Sequence, residues 1–528
     1  MLLLREDLSG KKINNKGIIL ITAYLVIVVA IILSVALIQR ALSEFNQARR
    51  NKILTQGLYQ AEAAVEQAAF TLGNRVANRQ AVADTFTDTV SLSPDFNITF
   101  TWGVLDTDHT VLNPQGIATI IRHYHISGTA TDIFSGLTVT VHQIVALKKT
   151  YTFQHAVFYN DDLEMLPGPN MTLSGKIHSN KDIYLGTHNT FTIDSDYLHG
   201  AGNVYNERKD SADYMEGTVR IKRENESNYR AMLEAGDFQP LDSRRSDWTD
   251  ESQVRWNGTM QSAVHGVTSL AVPNVGSIAQ DGFYAQNAGL KIVDTIAYNS
   301  SGSAVSLPSG TISQSSVYNY REGKYVTVTD INMSLLNSSG VFPSNGLLYV
   351  TRTDASSAHP NGVRLLNGSQ LQGALTLVSN DAIYVKGDYN STNKKPAAII
   401  CDSLDLLSNN WNDANSHSAL GSRIATSTTI NAAFIGGIDT TTSGRYNGGL
   451  ENYPRFLEDW TGKTLRIRGS FVELWNSQMS QGAWLYGNPQ YMAPLRDWNY
   501  DSDFNDSSRL PPFTPYAVET ERVVWWKS

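Results

Sequence analysis

Hydrophobic and polar positions divide the chain into three textures. From Ile18 to Ile38 run twenty-one residues without a charge. A helix over that run would be about 31 Å long, the depth of a bilayer core. The pattern then turns amphipathic. Leu42, Phe45, Arg49, Ile53, Tyr59, Val65 and Leu72 recur at helical intervals, and Gln60–Ala69 consists of strong helix formers. One helix is predicted over 18–72, with 18–38 in the membrane, Gly57 as its weak position and Gly73-Asn74 as its stop. Residues 95–150 alternate with the period of strands. Asn97–Trp102, Ile117–Ile126 and Leu137–Val145 are three strand candidates separated by turn residues. The amphipathic half of the helix would cover their apolar face, giving a small antiparallel sheet unit with sheet residues 73–150.

From about residue 155 short apolar pairs alternate with Gly, Asn, Asp and Ser. Ser179-Asn180-Lys181-Asp182-Ile183-Tyr184-Leu185-Gly186 is echoed at Gly202-Asn203-Val204-Tyr205 and at Ser379-Asn380-Asp381-Ala382-Ile383-Tyr384-Val385-Lys386-Gly387. The step from Tyr184 to Tyr205 suits one turn of a parallel β-helix. Further apolar steps fall at Ile399-Ile400, Leu404–Leu406, Ala433–Ile435 and Leu465–Ile467. The expected fold class is therefore α+β: a long N-terminal helix on a small antiparallel sheet, then a large all-β body read as a β-solenoid, with a pair of β-sandwiches as the competing form. The body is assigned to 151–470. A charged insertion at about 207–265 includes a helix-like stretch, Ser227–Ala235. The aromatic and Pro-rich end, 471–528, is expected to cap an open apolar end.

Composition narrows the function. A net charge of −8 over 528 residues argues against nucleic acid as a partner. The single cysteine, Cys401, excludes an intrachain disulfide and cysteine-based metal centres, and its apolar run makes it a small buried hydrophobe. Basic residues flank the apolar run on both sides, so charge alone gives no orientation. A plain single-span anchor and a signal peptide cut near Ser34-Val35-Ala36 compete with the membrane-helix reading.

The basic stretch Lys11–Lys16, then Gly17 and Ile18-Ile19-Leu20-Ile21-Thr22-Ala23, and later Gln60-Ala61-Glu62-Ala63-Ala64-Val65-Glu66, resemble the PilX-type N-terminal region of minor pilins and pseudopilins. The resemblance covers residues 11–72. It implies a leader, 1–17, removed by a prepilin peptidase after Gly17, with N-methylation of Ile18. It also implies a single-pass inner-membrane stage with the N-terminus in the cytoplasm. The partners implied are other pilin subunits through the helix and the peptidase, with the body in the periplasm or on a filament. Major pilins carry Glu at the fifth position after cleavage, where it pairs with a neighbour's amino terminus; here that position is Thr22. The departure points to a minor, tip or priming subunit of a type IV pilus or a type II secretion-like pseudopilus.

No Gly-x-Ser-x-Gly, His-Glu-x-x-His or phosphate-binding loop is present. Asp501-Ser502-Asp503-Phe504-Asn505 begins like a calcium loop but lacks its glycine and its closing Glu. Asp194/Asp196 and Asp106/Asp108 read as turn carboxylates, and His123 and His125 as two imidazoles on one strand face. Asp381, Asp402 and Asp405 are the carboxylates a sugar-cleaving β-helix would use. The sequence thus gives no enzyme, no metal and no cofactor. The alternative reading is a membrane-anchored protein that binds or cleaves carbohydrate, with a surface or polysaccharide as ligand.

Overall fold

The computed structural model describes residues 15–528; positions 1–14 of the expected leader lie outside the described residues. Helix α1 runs from Asn15 to Ala77, five residues past the predicted end at Leu72. Gly73 does not end it because the helix is supported there: a Cβ at Gly73 would meet Thr520 at 3.3 Å. The chain turns instead at Arg79, in the left-handed region with φ 54°.

The strands after α1 are β1 (Thr85–Val90), β2 (Phe96–Val104), β3 (His109–Leu112), β4 (Ala118–Asp132) and β5 (Thr138–Tyr151). All their pairings are antiparallel, in the order β1-β2-β4-β5, with β3 also on β4. The three predicted strands are β2, β4 and β5. A further strand, Tyr516–Lys527, lies antiparallel on β5 and completes the sheet. The expected C-terminal cap is corrected accordingly. The closing strand, with Val523-Val524-Trp525-Trp526, belongs to the helix-backed sheet and not to an open end of the body. Nonlocal pairing with β5 decides this, and short-range pattern carries no trace of it.

The body is therefore inserted between two neighbouring strands of one sheet. Its first passes build three parallel ladders in step. Val157, Ile177 and Leu198 align in one, Leu163, Ile183 and Val204 in the second, and Met171, Phe191 and Val219 in the third. Tyr184 pairs with Tyr205, the step expected from sequence, and their rings stack at 5.0 Å. The Asn, Asp and Thr turns tie each pass to the next. Asp162 accepts from the Asp182 amide at 3.0 Å, 20 residues on, and Asp182 from the Asn203 amide at 2.7 Å, 21 residues on.

The chain then restarts at the far end and works back. Leu290, Leu348, Leu377, Ile399, Phe434 and Phe471 follow one another in parallel register, and Phe471 pairs with Val157. Entry and exit thus lie side by side, which lets the closing strand return to β5. The body comprises several sheets, none closed on itself. Within the charged stretch, Ser227–Ala235 is not a helix. Tyr229–Ala231 forms a strand antiparallel to Thr218–Lys222, because the ladder edge offers backbone partners that outweigh its weak helix propensity. The helix of this region is α2 (Trp248–Trp256), whose buried Trp248 and Trp256 join the body core.

Candidate functional site

Every residue from Ile18 to Lys52 is exposed except the half-buried Val28. That face includes Ile18 (54% exposed), Leu20 (73%) and Ile32 (61%). An 18-residue window of the helix reaches a mean hydropathy of 3.1 with none of it buried. The polar side chains in this half turn inward on the helix itself. The Thr22 hydroxyl lies 3.0 Å from the carbonyl oxygens of both Ile18 and Ile19, and Ser34 donates to the Ala30 carbonyl at 2.8 Å. Such back-bonding satisfies a hydroxyl where no water is present.

The second half is the reverse. Ala61, Ala64, Val65, Ala68 and Leu72 are buried against Ile98, Phe100, Trp102, Ile126, Val141 and Val145. Small residues set the separation. A Cβ on Gly128 of β4 would fall 2.3 Å from the Ala61 carbonyl oxygen, and one on Gly57 would meet Val139 at 3.2 Å. Gly57, weak for a helix, is a point of close approach to the sheet. Glu62 is half-buried, and the exposed Glu66 pairs with Arg522 of the closing strand. Gly17 differs: nothing lies within 4 Å of where its side chain would be.

The body is fastened to this unit at its entry and exit. Gln154 bonds both the amide and the carbonyl of Ala118, at 2.8 and 2.9 Å. Ala271 forms an antiparallel bridge with Val518 of the closing strand. Arg79 donates to the Thr514 carbonyl and lies over the rings of Phe283 and Tyr516, at 5.1 and 5.2 Å.

The candidate chemical residues are already engaged. Asp501 and Asp503 both hold the Lys394 ammonium, at 2.7 and 2.9 Å, so a lysine occupies the place a calcium ion would take. Lys222 lies between Asp194 and Asp196, at 3.9 and 3.2 Å. Asp106 accepts from the backbone amide and the ring of His123, both at 2.7 Å, and these bonds hold its carboxyl below the usual range. Asp108 pairs with Arg122 and Lys149. His125 and His142 are stacked with Trp526 on the face away from α1. Among the described residues no group of three or more His, Cys, Asp or Glu side chains is arranged to hold a metal.

Asp381, Asp402 and Asp405 do not form an exposed carboxylate face; all three are buried. Asp402 accepts from the Ser477 hydroxyl at 2.6 Å and the Ser480 amide at 2.9 Å. Asp381 accepts from the Arg352 amide at 2.7 Å, and burial pushes it up to about 7. Burial likewise pushes Asp405 up to about 7. Cys401 is buried, and its thiol is pushed up for the same reason.

No family model matches the chain, and no curated protein does. Among solved structures, the competence-associated pilin ComZ from Thermus thermophilus aligns over 90% of this chain and 97% of its own, at 10% identity and a TM-score of 0.26. At that score the alignment carries no argument about fold or function.

Proposed function

We propose that this chain is a pilin-like subunit, anchored by a single pass through a membrane and then built into a filament by the same helix. One observation carries the reading. A continuous helix leaves the uncharged run Ile18–Ile38, rich in Ile, Leu and Val, almost wholly exposed, then buries an alanine stripe on an antiparallel sheet. Exposed apolar surface of that extent calls for lipid or for equivalent helices around it.

Thr22 supports a minor, tip or priming role over a bulk one. Its hydroxyl is spent on its own helix and offers no charge to a neighbour's amino terminus. Gly17 supports processing at Gly17-Ile18: a glycine within a helix costs about 1 kcal/mol against alanine, and no packing here requires it. We read the ladder steps of 20 and 21 residues as a β-solenoid body held clear of the helix, and we read no enzyme in it. The partners in this account are other pilin subunits, the prepilin peptidase and the inner membrane. N-terminal sequencing and mass of the protein from its native envelope test it. A start at N-methylated Ile18, lost when Gly17 is replaced by Leu, is the expected result. An intact Met1, or a start near Leu37, would remove the filament route and leave a tethered or secreted body.

A further inference from the structure

The face of the sheet turned away from α1 and the first passes of the body border a cavity of about 290 Å³ that is open to solvent on one side. Ile117, Ile121 and Ala517 form its sheet wall, and His155, Tyr197 and Leu270 its body wall. Lys148 and Glu519 stand at its edge. The Lys148 ammonium lies 2.6 Å from Glu521 and 3.5 Å from Glu519, so one cation is shared by two carboxylates.

Two polar groups in these walls are not matched. His155 is 1% exposed, and its Nδ1 lies 3.3 Å from the Thr152 carbonyl oxygen. Burial pushes His155 well below its usual range, so the ring is neutral and gives its one N–H to that carbonyl. Nε2 is then an acceptor. Among the described residues no protein group donates to it, and none bonds the Tyr197 hydroxyl, whose ring is stacked on His199 at 3.6 Å. Asn113, Thr119 and Thr150 add further polar groups to the same lining. A water-accessible cavity that mixes apolar side chains with an acceptor and a hydroxyl bonded to no protein group suits an occupant that supplies both hydroxyl groups and C–H faces.

At the edge one lysine stands against two glutamates, which disfavours an anionic occupant. The occupant must offer C–H faces to Ile117, Ile121 and Leu270. The volume sits at the lower end of small-molecule pockets, room for one ring and not for a chain. We propose that this cavity binds one neutral sugar ring, either free or as the terminal unit of a glycan. Because one wall belongs to the sheet and the other to the body, a bound ring would fix the body against the helix-backed unit. This inference rests on the cavity and is independent of the filament reading.

The test uses the full chain in detergent and a panel of neutral monosaccharides: methyl glucoside, methyl galactoside, methyl mannoside and N-acetylglucosamine. Saturation-transfer NMR and calorimetry read binding. At least one sugar is expected to bind saturably. Tyr197→Phe should weaken it about tenfold, the loss of one hydrogen bond. Ile121→Trp and Leu270→Trp, which fill the cavity from opposite walls, should each abolish it, while Tyr325→Ala, outside the cavity, should not change it. Two filling variants guard against misfolding of either one, with circular dichroism as the check. If no sugar in the panel binds saturably, or if binding survives either filling variant when folded, the proposal is overturned. A short oligosaccharide ending in the bound sugar separates the sources: displacement from the same site assigns a glycan end, and failure to displace assigns the free sugar.

Discussion

The first half of α1 exposes its large apolar side chains, while the second half buries a stripe made mostly of alanines. Leu20 is 73% exposed and Ala61 is fully buried. Folding in water alone would favour the opposite, since each buried Leu or Ile side chain is worth about 1.5–3 kcal/mol and an alanine much less. The two halves therefore answer to different surroundings. The second half is solved within the chain, by a sheet whose Gly128 lets the helix backbone come close. The first half is left for a partner the chain does not contain.

The largest expected effect falls on the half solved internally. Ending the chain after Pro515 removes the strand Tyr516–Lys527, its pairing with β5 and the Glu66–Arg522 link. The helix-backed sheet should then fail to fold, read as loss of its cooperative unfolding transition; an unchanged transition would separate the closing strand from the unit. On the other half, Val29→Arg should cost about 3 kcal/mol of membrane insertion while leaving the body's unfolding unchanged, because it touches no internal contact. An effect on the body instead would blur the contrast between the halves.

Smaller effects sharpen it. Gly128→Ala should destabilise the sheet unit by about 2 kcal/mol, since the new Cβ would sit 2.3 Å from the Ala61 carbonyl oxygen. Glu473 tests the body. It accepts from the Asn160 and Asp161 amides, yet burial pushes it up to about 8. The folded state therefore keeps its proton where the unfolded state has released it. That contribution is fully present below about pH 4.5 and is lost as pH rises through 8, by roughly 1 kcal/mol per pH unit. Glu473→Gln should flatten this fall in denaturant titrations between pH 5 and 8. Smallest is Thr22→Val, expected within about 0.5 kcal/mol in membrane insertion, because the hydroxyl serves only its own helix.

What could be read in the sequence was local. The apolar run, the alanine-rich turns, β2, β4 and β5, and the Tyr184-to-Tyr205 step all follow from short-range periodicity, and the ladder places those two tyrosines side by side. What escaped was nonlocal. The closing strand meets partners such as Glu66, 456 residues earlier, and nothing in Val523-Val524-Trp525-Trp526 says which sheet it joins. Ser227–Ala235 has a weak helix pattern that strand pairing overrode. For the site, Thr22 and Gly17 stood out by position. The cavity residues His155, Tyr197 and Leu270 come together only because body and sheet pack against each other, and no spacing announces them.

The contrast between the two halves of α1 is tested most directly by single-cysteine labelling in native envelope membranes. Cys401 is buried and stays silent, so Val29→Cys and, at the exposed Gln67, Gln67→Cys variants each carry one reactive thiol. With a membrane-impermeant maleimide, the account predicts rapid labelling of the Gln67→Cys protein and none of the Val29→Cys protein until the membrane is dissolved and the chain unfolded. Equal labelling of both in intact membranes would contradict it, because the apolar half would then stand in water with no partner at all.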